Sequence, residues 1–151
     1  MNIGEILNLQ AVACRETAGS KKRVLEKVSK LLAAAEGLNE IDIFDKLLER
    51  ERLGSTAIGH GVAIPHGRCG AFTEARAAFL RVSPAVDFGA GDGEPVDLVF
   101  AMAVPSHFPQ QHLELLSELA EHFADPAFRA ALRQAADAEA LAAALQAGRA
   151  P

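Results

Sequence analysis

The residues best suited to chemistry lie in one glycine-rich stretch, Glu51-Arg52-Leu53-Gly54-Ser55-Thr56-Ala57-Ile58-Gly59-His60-Gly61-Val62-Ala63-Ile64-Pro65-His66-Gly67-Arg68. His66 stands between Pro65 and Gly67, directly after an apolar, strand-like run. Pro65 fixes the backbone before the ring, and Gly67 leaves room beside it. Imidazole titrates near about 6.5, so at neutral pH one ring nitrogen carries a lone pair able to attack phosphorus. A partner such as a backbone carbonyl would fix the tautomer. On residue type alone a structural histidine is the competing reading.

Other motifs in this stretch fail on their own chemistry. Gly54 to Gly59 has the glycine spacing of a nucleotide P-loop, but His60 and Gly61 stand where Lys and Ser/Thr would contact phosphate and magnesium. Ser55 is not in a Gly-x-Ser-x-Gly elbow, and nothing nearby supplies a triad, which excludes a serine hydrolase. His60 with His66, or His107 with His112, lack the acidic or Cys ligands of a metal centre. Cys14 and Cys69 have no CxxC spacing. No cofactor and no metal are therefore expected.

A second histidine qualifies by position. On the wheel of the helix after Pro109, His112 shares the apolar face with Leu116, Leu119 and Phe123, while His122 lies to one side. An inward histidine is usually a hydrogen-bonded core residue. This one sits in the first turns, where helix ends attract anions, and could instead hold a phosphoryl oxygen and stabilise transferring charge.

These groups need elements to position them. Val24, Leu25, Val28, Leu31, Leu32 and Ala35 repeat at helical spacing between a Ser20 cap and a Gly37 stop. A second helix runs from Asn39 to Gly54 with Ile43, Phe44, Leu47 and Leu48 inward. Continuing its wheel puts Glu51 near the centre of the apolar face and Arg50 at its edge, where an unpartnered charge would be costly. Val62–Ile64, Ala77–Val82 and Val96–Val104 read as strands, the last two joined by the turn-rich segment from Asp87 to Gly93. Leu113, Leu116, Leu119, Ala120 and Phe123 mark a later helix; Asp125-Pro126 and Asp137 start two shorter ones, the last ending near Gly148. Helices on both sides of a sheet-forming centre predict an α/β fold, a mixed β-sheet covered by helices, with residues 1–151 as a single domain.

Composition narrows the partners. About half of the 151 residues are apolar and 23% are charged, the balance of a folded chain. A net charge of -5 without a long Lys/Arg run argues against nucleic acid. The start, Met1-Asn2-Ile3-Gly4-Glu5, is not a secretory signal, and Leu98–Val104 is too short to span a bilayer. A cytoplasmic protein with no direct membrane insertion is expected.

The segment from Arg50 to Arg68 resembles the signature of the enzyme IIA domains of the phosphoenolpyruvate phosphotransferase system, fructose/mannitol superfamily. Gly54-Ser55-Thr56 and Ile64-Pro65-His66-Gly67-Arg68 are closer in wording to its nitrogen-related branch, and Phe88-Gly89 and Pro95-Val96-Asp97-Leu98 resemble the family's loop and strand. The resemblance implies that His66 is phosphorylated, that His112 and Arg50 complete the catalytic group, and that Ser55, Thr56 and Gly67 support the phosphoryl site. It implies a phosphotransferase component, not a nucleotide-dependent kinase, charged by a small HPr-like protein. It also implies regulation of partner proteins by phosphorylation state, potassium-transport systems among them. The alternatives are a sugar-specific enzyme IIA passing phosphate to a IIB component, and an unphosphorylated regulatory binding module. His60 departs from the pattern, since many members carry Asn there.

Overall fold

The protein, seen in a computed structural model, is described over residues 3–107 and 109–147, with the backbone alone for residues 3–4 and 109–113. The short helix α1 (Ile3–Ile6) leads into strand β1 (Leu7–Glu16). Helix α2 (Lys21–Glu36) follows, capped by Ser20, whose hydroxyl accepts from the Arg23 N–H, and stopped by Gly37 in the left-handed region. In helix α3 (Glu40–Arg52) the Asn39 side chain accepts from the Ile41 N–H at 2.8 Å, and Ile43 and Leu47 are buried. Both helices thus form where apolar spacing and cap chemistry coincide.

Next come the strands β2 (Ala57–Gly59), β3 (Val62–Ala63), β4 (His66–Arg68), β5 (Arg76–Val86) and β6 (Val96–Val104). The chain closes with helices α4 (Pro109–Ala124), α5 (Pro126–Gln134) and α6 (Ala138–Ala147). The sheet order is β1-β5-β6-β3-β2, with β4 pairing farther along β6. Parallel pairs (β1 with β5, β3 and β4 with β6) alternate with antiparallel ones (β5 with β6, β2 with β3), so the sheet is mixed as expected.

Alternation along the central strands divides the core in two. Ala77, Phe79, Leu98, Phe100 and Met102 meet α4, α5 and α6 through Leu119, Phe123, Leu132 and Leu145. Ala78, Leu80, Val99, Ala101 and Ala103 meet α2 and α3 through Leu25, Val28, Leu32 and Leu47. Helices cover both faces, which is why β6 is nearly all apolar instead of alternating with polar residues.

Several elements depart from the expectation drawn from the sequence. β1 was not foreseen: it is an edge strand whose apolar run is broken by Asn8 and Gln10, and its register shifts between Leu7 and Val12. β2 and β4 have only three residues each, too few for a period-2 pattern to register. Among the described side chains of α4 the fully inward ones are Leu115, Leu119 and Phe123, with Leu116 at the margin; the side chain of Leu113, also expected inward, lies outside them.

Candidate functional site

β3 and β4 lie in line along β6, with Ile64 and Pro65 between them. Pro65 has no N–H for a ladder, so the run breaks there and resumes at His66. The break redirects the groups of Ile64. Its N–H donates to the Thr56 carbonyl at 3.0 Å, and its carbonyl accepts from Nδ1 of His66 at 2.8 Å. A carbonyl can only accept, so the proton sits on Nδ1 and the lone pair on Nε2.

His66 is 9% exposed. Burial lowers its pKa from the ordinary 6.5, the bond to Ile64 works against that, Arg50 lowers it further, and Glu51 raises it. The imidazole is therefore neutral near pH 7, with one cation and one anion from the same helix turn acting on it in opposite directions.

That turn ends α3. Arg50, half-exposed, donates from Nη1 to the Gly54 carbonyl at 2.8 Å and so folds over the chain leaving the helix. Glu51 continues the ridge of Ile43 and Leu47, as its place on the wheel predicts, and its side chain is 2% exposed. Its carboxylate accepts from the Thr56 N–H at 2.9 Å, from the Thr56 hydroxyl at 2.5 Å and from Lys21 Nζ at 3.2 Å. Lys21 also stands 5.5 Å from the centre of the Phe88 ring. Ser55 donates to the Phe88 carbonyl at 2.6 Å while accepting from the Ala57 N–H. The hydroxyl protons of Ser55 and Thr56 thus bind protein acceptors, and both residues tie the loop after α3 to its surroundings.

Gly67 permits a close approach. A Cβ there would lie 3.0 Å from the Lys46 backbone, so any side chain would push β4 off the helix that carries Arg50 and Glu51.

His60 forms the two-residue hairpin between β2 and β3 with Gly61; φ is +59 and +79, both left-handed, as a type I′ turn requires. Its N–H donates to Asp92 at 2.9 Å and its carbonyl accepts from Arg133, which also grips Asp97. Asn and His both tolerate this backbone better than most residues, so the turn accounts for either at this position.

Of the residues picked out from sequence, Arg50 acts on the His66 ring, Thr56 takes the Ile64 N–H and Gly67 follows His66 in β4, whereas Ser55 is bonded to Phe88, near the start of β6 and not beside His66. His112 lies in the first turns of α4, and its side chain falls outside the described residues. The backbone carbonyl expected to fix the tautomer is that of Ile64, which the sequence could not name; Lys21 and the hold of Asp92 and Arg133 on His60 were missed. Among the described residues no group of His, Cys, Asp and Glu could hold a metal ion, and no helix is long and apolar enough to cross a membrane.

The fold and site define a mixed sheet covered by helices, with a buried, tautomer-fixed histidine where a strand resumes beside a helix end. The family model described as "Phosphoenolpyruvate-dependent sugar phosphotransferase system, EIIA 2" matches residues 5–148, and the chain belongs to that family. It is 46% identical over 126 residues to a nitrogen regulatory protein of Pseudomonas aeruginosa, spanning 82% of this chain and 80% of that one. The crystal structure of nitrogen regulatory protein IIA-Ntr from Neisseria meningitidis superposes with a TM-score of 0.88 at 43% identity, covering 95% of this chain and 98% of that one. The Escherichia coli mannitol enzyme IIA, solved in complex with phosphorylated mannitol enzyme IIB, shares the fold (TM-score 0.78, 17% identity, 94% and 99% covered).

Proposed function

We propose that the chain, read as one enzyme IIA domain over residues 1–151, is a histidine phosphocarrier of a nitrogen-related phosphotransferase system. Nε2 of His66 attacks the phosphorus of a phosphohistidine presented by a small HPr-like protein. One N–P bond forms as the donor's breaks, with no nucleotide and no net hydrolysis. The observation that carries this reading is the 2.8 Å bond from Nδ1 to the Ile64 carbonyl, which puts the lone pair on Nε2. The same bond, with Glu51, favours the positive charge the ring acquires on phosphorylation. Arg50 and His112 hold the phosphoryl oxygens. Ser55, Thr56 and Gly67 support the phosphoryl site by shaping the loop and seating β4.

Leu53, 82% exposed, and Ile58, 43% exposed, offer a shallow apolar surface beside the loop for a transient partner. The relatives named as nitrogen regulatory proteins favour regulation of partner proteins by phosphorylation state in the cytoplasm, potassium-transport systems among the targets. Transfer to a IIB component is the second reading, favoured by the family's sugar-system description.

Purified protein incubated with phosphoenolpyruvate, enzyme I and an HPr-like donor should gain an acid-labile phosphoryl adduct by intact mass, and His66→Ala should gain none. Absence of the adduct in wild type with every donor tried, or its persistence in His66→Ala, overturns the carrier reading. Sugar phosphorylation on adding a IIB component would favour transport over regulation.

A further inference from the structure

We propose that Glu51 is a positioning residue for His66, aiming the ring and holding its Nδ1–H tautomer through a chain of hydrogen bonds; this rests on the carrier reading above. The chain has three links. The Glu51 carboxylate binds Thr56 at both its N–H and its hydroxyl, the Thr56 carbonyl accepts from the Ile64 N–H, and the Ile64 carbonyl accepts from Nδ1 of His66.

A buried carboxylate is an expensive anchor. Position 51 continues the apolar ridge of Ile43 and Leu47, and a leucine there would bury without desolvating a charge. What a leucine cannot do is accept three hydrogen bonds in fixed directions. Two acceptor oxygens meet three donors, Thr56 N, Thr56 Oγ1 and Lys21 Nζ, which arrive from two elements. This locks the α2 start, the α3 end and the loop into one geometry. Thr56 is thereby placed so that its carbonyl, not that of a neighbour on β6, takes the Ile64 N–H. With that N–H fixed and Pro65 unable to rejoin the ladder, the Ile64 peptide turns its carbonyl toward the ring.

Glutamine is the discriminating substitution. It keeps the volume but not the charge: with its one oxygen on the Thr56 N–H, its NH2 must donate to Thr56 Oγ1, which reverses that bond and displaces the hydroxyl proton, and the ionic part of the link to Lys21 is lost. The test follows Glu51→Gln, and Thr56→Val as a second variant that removes only the hydroxyl link. Phosphoryl transfer is timed across donor concentrations, and the ring nitrogens of His66 are read by 15N NMR in the unphosphorylated protein.

In Glu51→Gln the rate at saturating donor should fall about tenfold or more, with the half-saturating donor concentration unchanged, as misorientation of a reacting group predicts. The nitrogen spectrum should change from one tautomer to a mixture. Thr56→Val should move both readouts in the same direction by less. If Glu51→Gln does not fold, Thr56→Val decides alone by the same two readouts. Wild-type rates with a wild-type tautomer, or a loss confined to the half-saturating concentration, overturn the proposal. The nitrogen spectra need no donor. A wild type that is never phosphorylated would therefore remove the carrier reading while leaving the hydrogen-bond chain testable.

Discussion

His60 and His66 share one loop-rich segment, yet the structure uses them in opposite ways. At His60 the backbone matters: a left-handed φ, an N–H held by Asp92 and a carbonyl held by Arg133, with the side chain exposed. At His66 the ring matters: it is buried, and Nδ1 is bound to the Ile64 carbonyl. The glycines beside them differ in the same way. Gly61 serves a left-handed turn whose Cβ space is taken by the side chains of Arg133 and Asp97, whereas Gly67 packs directly against the Lys46 backbone. One residue type can therefore serve a hairpin through its backbone or present a buried ring with a fixed tautomer, and the local backbone decides which.

The sharpest way to break this contrast is at the packing contact. In Gly67→Val the new side chain meets the Lys46 backbone at about the 3.0 Å already measured for a Cβ alone, with no flexible group to give way. Overpacking of this kind costs on the order of 1–3 kcal/mol. Thermal melting should show that loss, and phosphoryl transfer should slow as β4 moves relative to Arg50. Gly91→Val is the control: nothing lies within 4 Å of its Cβ position, so melting temperature and rate should stay at the wild-type values. Equal losses in both variants would mean that Gly67 has no special packing role.

A smaller effect follows from pH. Burial, reinforced by Arg50, holds the His66 pKa below 6.5, although the Ile64 bond and Glu51 oppose it. The unfolded chain takes up the proton first as pH falls, so the His66 contribution to stability is complete above about 6.5 and is lost between 6.5 and the lower folded value. His66→Gln should lack that part of the acid destabilisation. For the same reason the acid limb of the transfer rate should lie below 6.5, the midpoint of an unburied histidine. A limb at or above 6.5 would show that the ring is not held in a desolvated site.

Much of this arrangement was legible in the sequence. Caps and apolar spacing marked α2 and α3, and the wheel of α3 placed Glu51 inward before any partner for it was known. Pro65 and Gly67 marked His66 as unusual. Lys21 was not legible as a partner because 30 residues separate it from Glu51 and only the packing of α2 on α3 brings them together. The Ile64 carbonyl carries no side-chain signature at all. β1 escaped for a related reason: its pairing with β5 joins Leu7 to Ala77, a contact that local periodicity does not encode. Ser55 and Thr56 stood out only through the family resemblance, and their bonds to Phe88 and Glu51 were not legible.

The smallest expected effect comes from His60→Asn, and it tests the other half of the contrast. Asn suits a type I′ turn at least as well as His, because its short polar side chain tolerates the left-handed region. The bonds to Asp92 and Arg133 use only the backbone N–H and carbonyl of residue 60, so they survive the substitution. Stability should change by no more than about 0.5 kcal/mol, as for an exposed position outside a packed feature. The transfer rate should match wild type. A large fall in rate would mean that the His60 ring itself takes part in the chemistry, and the division between a backbone histidine and a reactive one would collapse. Unchanged rate and melting temperature would leave His66 as the histidine of this segment whose ring carries the chemistry.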